Sequence, residues 1–258
     1  MKTGKLVKDR KNRDVFNYNG KIYKYDDIYN LIKELDYHKS AIDCDWTIIR
    51  VHDILSDKDC YCVAFQETTT KTDWKYDFDF FPKKIKAYKG WKNKLVYHEG
   101  FYKEYQSARD AIIENLTLLL EDLAKEQNCL VADLKLYVIG WSLGASIAPI
   151  AMEDFFEHFG INSILIPYEG AKVSYNLHTR NYLMKCMNKE ESIAFIYSND
   201  VVPRVPCILG KYLKDIIYYL DDHKCKFPFY FIKKIISFVK DTEYYHTHVD
   251  EGIQKYMK

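Results

Sequence analysis

The chain has 258 residues, is 48% hydrophobic and carries a formal net charge of +1. That length buries one substantial core and reads as one large α/β domain or two small ones. Charges are mixed along the chain rather than blocked, so there is no electrostatic case for a nucleic-acid partner.

Residues 1–20 are polar and positively charged but lack an apolar signal region, so they read as a terminal segment ahead of one domain spanning 21–258. Asp26–Ile32 reads as a helix. Cys60–Phe65 ("CYCVAF") reads as a short buried strand, in which Cys60 and Cys62 share one face. In "TDWKYDFDFF", Trp74, Tyr76, Phe78 and Phe80 alternate with charged residues, the period of a half-buried strand. Phe101–Lys125 places Tyr105, Ile112, Leu116, Leu119 and Leu123 at three- and four-residue steps, which predicts a long helix with one apolar face. Leu134–Ile139 then reads as a strand, Leu143–Phe159 as a helix and Ser163–Pro167 as a strand. Thr179–Met187 follows as a helix and Ser192–Ser198 as a strand.

Strands alternating with helices of this length require crossover connections. They predict an α/β fold with a mostly parallel sheet covered by helices on both faces. Reactive residues in such sheets sit at the carboxyl ends of strands. The seven cysteines form no CxxC pair and no Cys/His cluster of zinc-ligand spacing, so no metal or organic cofactor is expected. Buried free thiols in a reduced, cytoplasmic compartment account for them. No uncharged apolar run reaches the roughly 18 residues that span a bilayer.

Gly140-Trp141-Ser142-Leu143-Gly144 joins a strand to a helix. Glycines two residues either side of Ser142 leave room for a sharp turn that lifts the serine oxygen clear of the sheet, with the Leu143 N–H aimed where an oxyanion would form. The pentapeptide alone is a weak signal; its place between strand and helix strengthens it. Asp200 lies just past a strand end, ahead of Pro203 and Pro206. It reads either as an orienting acid or as half of an Asn-Asp turn pair. Among the histidines, His246 and His248 in "EYYHTHVDEGIQKY" follow Asp200 and precede a short helix, as a general base in this chain order requires.

Several segments agree in order with one family. The chain resembles the class 3 lipases, α/β-hydrolase-fold enzymes that cleave carboxylic esters of lipids. Phe65-Gln66-Glu67-Thr68 takes the place of that family's F-R-G-T/S, and Asp73-Trp74 matches an aspartate–tryptophan step. Val96-Tyr97-His98-Glu99-Gly100-Phe101 matches its V-x-H-x-G-F. Gly140–Ser146 matches G-H-S-L-G-G-A, and Asn199–Pro206 matches N-D-x-V-P-x-x-P. Gly170–Asn176 weakly echoes G-A-P-R-V-G-N. The resemblance covers residues 58–206 and is loose outside them.

It implies Ser142 as nucleophile, Asp200 as orienting acid, and Thr68 with the Leu143 N–H as the oxyanion hole. It favours His248 as the base, with Glu251 and Ile253 following at the family's spacing; His246 is the runner-up, since Thr247 can cap the next helix. The implied substrate is a lipid or small ester, with transient membrane-surface contact through Asp73–Phe81 or Phe227–Val239; both segments also read as ordinary core or cover. Three departures stand out. Glu67 replaces a glycine beside the oxyanion residue. Trp141 replaces the elbow histidine and is expected to add bulk beneath or beside the nucleophile. Pro149 is expected to kink or break the helix. They motivate an alternative, a catalytically impaired hydrolase-fold binding module.

Overall fold

The structure is a computed structural model that describes residues 11–40, 44–66, 82–85, 95–196, 213 and 216–219. Ten strands and four α-helices are assigned among the described residues. Eight strands form one sheet, in the order β10-β9-β8-β7-β4-β3-β1-β2.

The sheet is built outward from β7 (Leu136–Trp141), every residue of which is buried. On one side β7 pairs in parallel with β4 (Lys58–Phe65), and on the other with β8 (Ile164–Tyr168). β9 (Ala194–Ile196) and β10 (Ile217–Tyr219) continue the parallel run. Beyond β4 the sheet turns antiparallel through β3 (Trp46–Asp53), β1 (Asp14–Tyr18) and β2 (Lys21–Lys24). β1 thus lies inside the N-terminal stretch that reads as polar in sequence: Phe16 is fully buried, in edge-to-face contact with Tyr137. A separate hairpin joins β5 (Pro82–Ile85) to β6 (Leu95–His98).

Both faces carry helices, as the alternation predicts. α1 (Ile28–Glu34) covers one face, burying Ile28, Tyr29, Leu31 and Ile32 against Ile139, Trp141 and Tyr168. The other face holds α2 (Glu99–Gln127), α3 (Leu143–Phe159) and α4 (Leu177–Cys186). α2 buries Phe101, Tyr105, Ala108, Ile112, Leu116, Leu120 and Leu123, the stripe expected of its spacing, with Leu120 rather than Leu119 in the deepest slot. Burying a side chain of this size is worth about 1.5–3 kcal/mol each. His98 caps α2, its Nδ1 accepting the Phe101 N–H at 3.4 Å, and Asn128 ends it in the left-handed conformation.

α3 starts at the residue expected and is buried from Leu143 to Phe155, as a helix sandwiched between a sheet and two other helices must be. It runs unbroken through Pro149, against the expected break. The bond lost there is the one to Ala145 O, a carbonyl that packs against the Gly170 backbone instead. Cys60 and Cys62 point to one core and Tyr61 to the other, as the strand reading requires. The described cysteines are all free thiols. Among the described residues no helix is long and apolar enough to cross a membrane.

Candidate active site

The carboxyl end of β7 turns into α3 within one residue. That residue is Ser142, at φ 54° and ψ −114°. Only a few per cent of non-glycine residues adopt positive φ, and holding one there costs on the order of 1–3 kcal/mol. Such strain persists only where the surroundings over-determine it. Here Ser142 N–H donates to Tyr168 O at 2.9 Å, which ties the corner to the end of β8. The Ser142 carbonyl accepts the first helical bond of α3, from Ser146 N–H at 3.1 Å.

The flanking glycines are required by close approach rather than by their own φ. A Cβ on Gly140 would lie 2.5 Å from the carbonyl carbon and oxygen of Gly144. One on Gly144 would lie 2.3 Å from Phe65 O. The first turn of α3 therefore rests directly on the end of β4 and on Gln66. Leu143 opens the helix, so its N–H is among those with no intrahelical acceptor. Ser142 makes no side-chain cap bond, and the residue is 9% exposed. A hydroxyl on a tight corner, over the positive end of a buried 17-residue helix, is suited to attack an electrophile and to meet the resulting anion with backbone donors.

Trp141 does not crowd this hydroxyl. Its ring lies on the opposite face, edge-on to Tyr29 at 5.0 Å, with the Lys33 ammonium 5.2 Å from its centroid. Strand alternation puts residue 141 on the α1 side, which the expectation of bulk beside the nucleophile overlooked. Of the other site residues read from sequence, Thr68, Asp200, His246 and His248 lie outside the described residues, as do Glu67, Asp73–Phe81 and Phe227–Val239.

Two buried polar residues near the corner gave no sequence signal. Glu169 follows β8 directly, is fully buried, has φ 56°, and donates its N–H to Phe195 O at 3.0 Å. Ser146, one turn into α3, is also buried. His98 is buried too, and burial pushes its imidazole down to about 4. It is therefore neutral at physiological pH and serves as a helix cap. An apolar cavity of about 40 Å³ lies beside α3, lined by Ala145, Pro149, Gly170, Val173, Phe195 and Leu213. That volume holds two or three waters at most, so this cavity by itself is too small for an acyl chain. Among the described residues no group of three or more His, Cys, Asp or Glu is gathered as for a metal ion.

Sheet order, crossover helices and a strained serine between strand and helix define the α/β-hydrolase fold. Lipase (class 3) matches over residues 62–210. The chain belongs to the class 3 lipase family. Among solved structures, Rhizomucor miehei triacylglyceride lipase superposes with a TM-score of 0.55 at 17% identity, over 73% of this chain and 66% of that one. A triacylglycerol lipase whose catalytic centre is described as a serine protease triad gives 0.55 at 18%, over 72% and 66%. A mutant form of MDLA from Penicillium cyclopium gives 0.52 at 19%, over 72% and 63%. The chain spans about half to two-thirds of the length of the solved lipases it matches. No curated protein matches it significantly.

Proposed function

We propose that the protein is a serine hydrolase that cleaves carboxylic esters, with lipid acyl esters as its substrate class. One observation carries this reading: Ser142 is held at φ 54°, ψ −114° on the corner between β7 and α3. An ordinary turn would relax that strain by taking glycine. Here glycine is used on either side and the strained position is given to a hydroxyl. Family membership and the lipid-ester chemistry in the names of its structural relatives support the same reading.

In the mechanism, His248 takes the Ser142 proton as oxygen attacks the ester carbonyl, and Asp200 holds the imidazole in the productive tautomer. The tetrahedral oxyanion rests on the Leu143 N–H and on Thr68. Collapse expels the alcohol, which takes the proton from His248. Water, deprotonated by the same imidazole, then releases the acid from the acyl-enzyme. Transient contact with a lipid surface through Asp73–Phe81 or Phe227–Val239 belongs to this proposal.

Hydrolysis of p-nitrophenyl esters by the wild type and by Ser142→Ala tests it. Turnover is expected to fall by about 10⁴-fold or more in the variant, and a fluorophosphonate probe is expected to label the wild type alone. Equal turnover in the two proteins would remove Ser142 from the chemistry.

A further inference from the structure

Ser146 sits one helical turn past Ser142, 1% exposed. Its hydroxyl donates to the carbonyl of Ser142 at 3.1 Å and accepts the backbone N–H of Ala171 at 2.8 Å. The Ser142 carbonyl thus receives two donors from one residue, the Ser146 N–H and the Ser146 Oγ–H. A serine in a helix commonly bonds back to the carbonyl four residues earlier. What is particular here is the third group, an N–H from the loop after β8, which completes a chain from loop to hydroxyl to the nucleophile's own carbonyl. Hydrogen bonds in such a buried chain polarise one another.

The same loop touches α3 at a second point, where Gly170 packs against the Ala145 carbonyl. A Cβ on Gly170 would come within 2.8 Å of that oxygen, and Pro149 supplies no N–H to it. One residue earlier, Glu169 N–H bonds Phe195 O at 3.0 Å. With the Ser142 N–H on Tyr168 O, these bonds link the ends of β7, β8 and β9 to the first turn of α3. Two further departures from the family pattern meet at this spot. Ser146 stands where G-H-S-L-G-G-A has alanine, and Lys172 stands where G-A-P-R-V-G-N has proline. A proline stiffens a loop by itself. Here that stiffness is absent, and a hydroxyl on α3 grips the residue before it.

We propose that Ser146 is a positioning residue for Ser142: its hydroxyl ties the Gly170–Val173 loop to the nucleophile's carbonyl and so holds the strained corner in its reactive conformation. This rests on Ser142 being the nucleophile. The test measures the rate of Ser142 labelling by a fluorophosphonate probe, together with kcat and KM on a short p-nitrophenyl ester, in Ser146→Ala, Ser146→Cys and Ser146→Thr.

Ser146→Ala, which restores the family's alanine, is expected to fold, as checked by thermal melting. Its labelling rate and kcat are expected to fall about 5- to 10-fold with KM little changed, the scale of one lost hydrogen bond. Ser146→Cys, similar in shape with weaker hydrogen bonding, falls between, and Ser146→Thr, which keeps the hydroxyl, recovers most of the rate. An unchanged rate in Ser146→Ala overturns the inference alone. Equal losses in the Thr and Ala variants also overturn it, assigning the effect to packing. Absence of labelling in the wild type overturns the nucleophile reading, and the positioning role with it.

Discussion

At residue 144 a single hydrogen in place of a methyl group decides whether the corner can form. The Gly144 α-carbon lies against the Phe65 and Gln66 carbonyls, both of them backbone that cannot swing aside. Gly144→Ala is therefore expected to push α3 off the end of β4. Overpacking of this kind costs about 1–3 kcal/mol, and the displaced helix N-terminus is expected to slow fluorophosphonate labelling by at least about tenfold. Urea unfolding and labelling kinetics measure the two effects. The reason for glycine here was half legible: two flanking glycines signalled a tight corner. That Gly144 is needed for contact with β4 was not, because Phe65 lies far off in the chain. Ser142 itself was legible because its setting is local, a strand and a helix meeting over five residues. His98 stands directly ahead of the long helix in sequence, and in the structure it ends β6 and caps that helix, buried and neutral.

Elements were legible in proportion to how local their causes are. α3 and the core of α2 follow from apolar spacing alone, and their observed bounds match it closely. β1 and β2 escaped notice, although Asn19-Gly20 between them is a two-residue hairpin signature, with φ 50° and 82°. β3 is set by pairing: Trp46 to Asp53 run opposite Phe65 to Lys58 in full register. At its end Asp53, fully buried, accepts bonds from Ser56 N at 2.6 Å, Tyr137 Oη at 2.5 Å and Lys135 Nζ at 3.0 Å. Lys135 also reaches Glu191 at 2.8 Å, so this clasp joins β3, β7 and the turn before β9. Burial alone would raise the Asp53 carboxyl, but the bonds from Ser56, Tyr137 and Lys135 outweigh it and hold the carboxyl below its ordinary 3.8. A carboxylate lowered in the fold stabilises above its unfolded value and loses that contribution as pH falls through the folded one. Asp53→Asn is expected to cost about 3 kcal/mol at pH 7 and to show a shallower loss of stability below about pH 4. Urea denaturation from pH 7 to pH 2 tests this; parallel curves for the two proteins would contradict it.

Across the whole molecule, α3 carries a second charge problem behind the candidate site. Glu153 is buried where α3 faces β6 and α4. Burial, then the neighbouring Asp154 and Glu157 carboxylates, push it up to about 8, while Tyr97 and Arg109 pull the other way. Below that pH it is neutral in the fold; in the unfolded chain it ionises near 4.5. The native state therefore binds the extra proton between these values, and stability falls as pH rises from about 4.5 to 8. Glu153→Gln, neutral at every pH, is expected to flatten that decline and to melt several degrees higher than the wild type at pH 8. Melting temperatures across pH 5 to 8 decide it, and identical slopes would show that Glu153 does not couple folding to protons.

The amino-acid order by itself determined the strand–helix alternation, the parallel part of a sheet covered on both faces and the serine corner, because each arises from periodicity or from glycine within a few residues. Only the tertiary structure decided that Trp141 faces α1, that the N-terminal stretch adds antiparallel strands, and that Ser146 joins Ser142 to Ala171. Those facts depend on groups brought together from distant parts of the chain, such as Asp53 and Tyr137, 84 positions apart. No local pattern encodes such a meeting; it exists once the sheet is assembled and the cores on its two faces have closed.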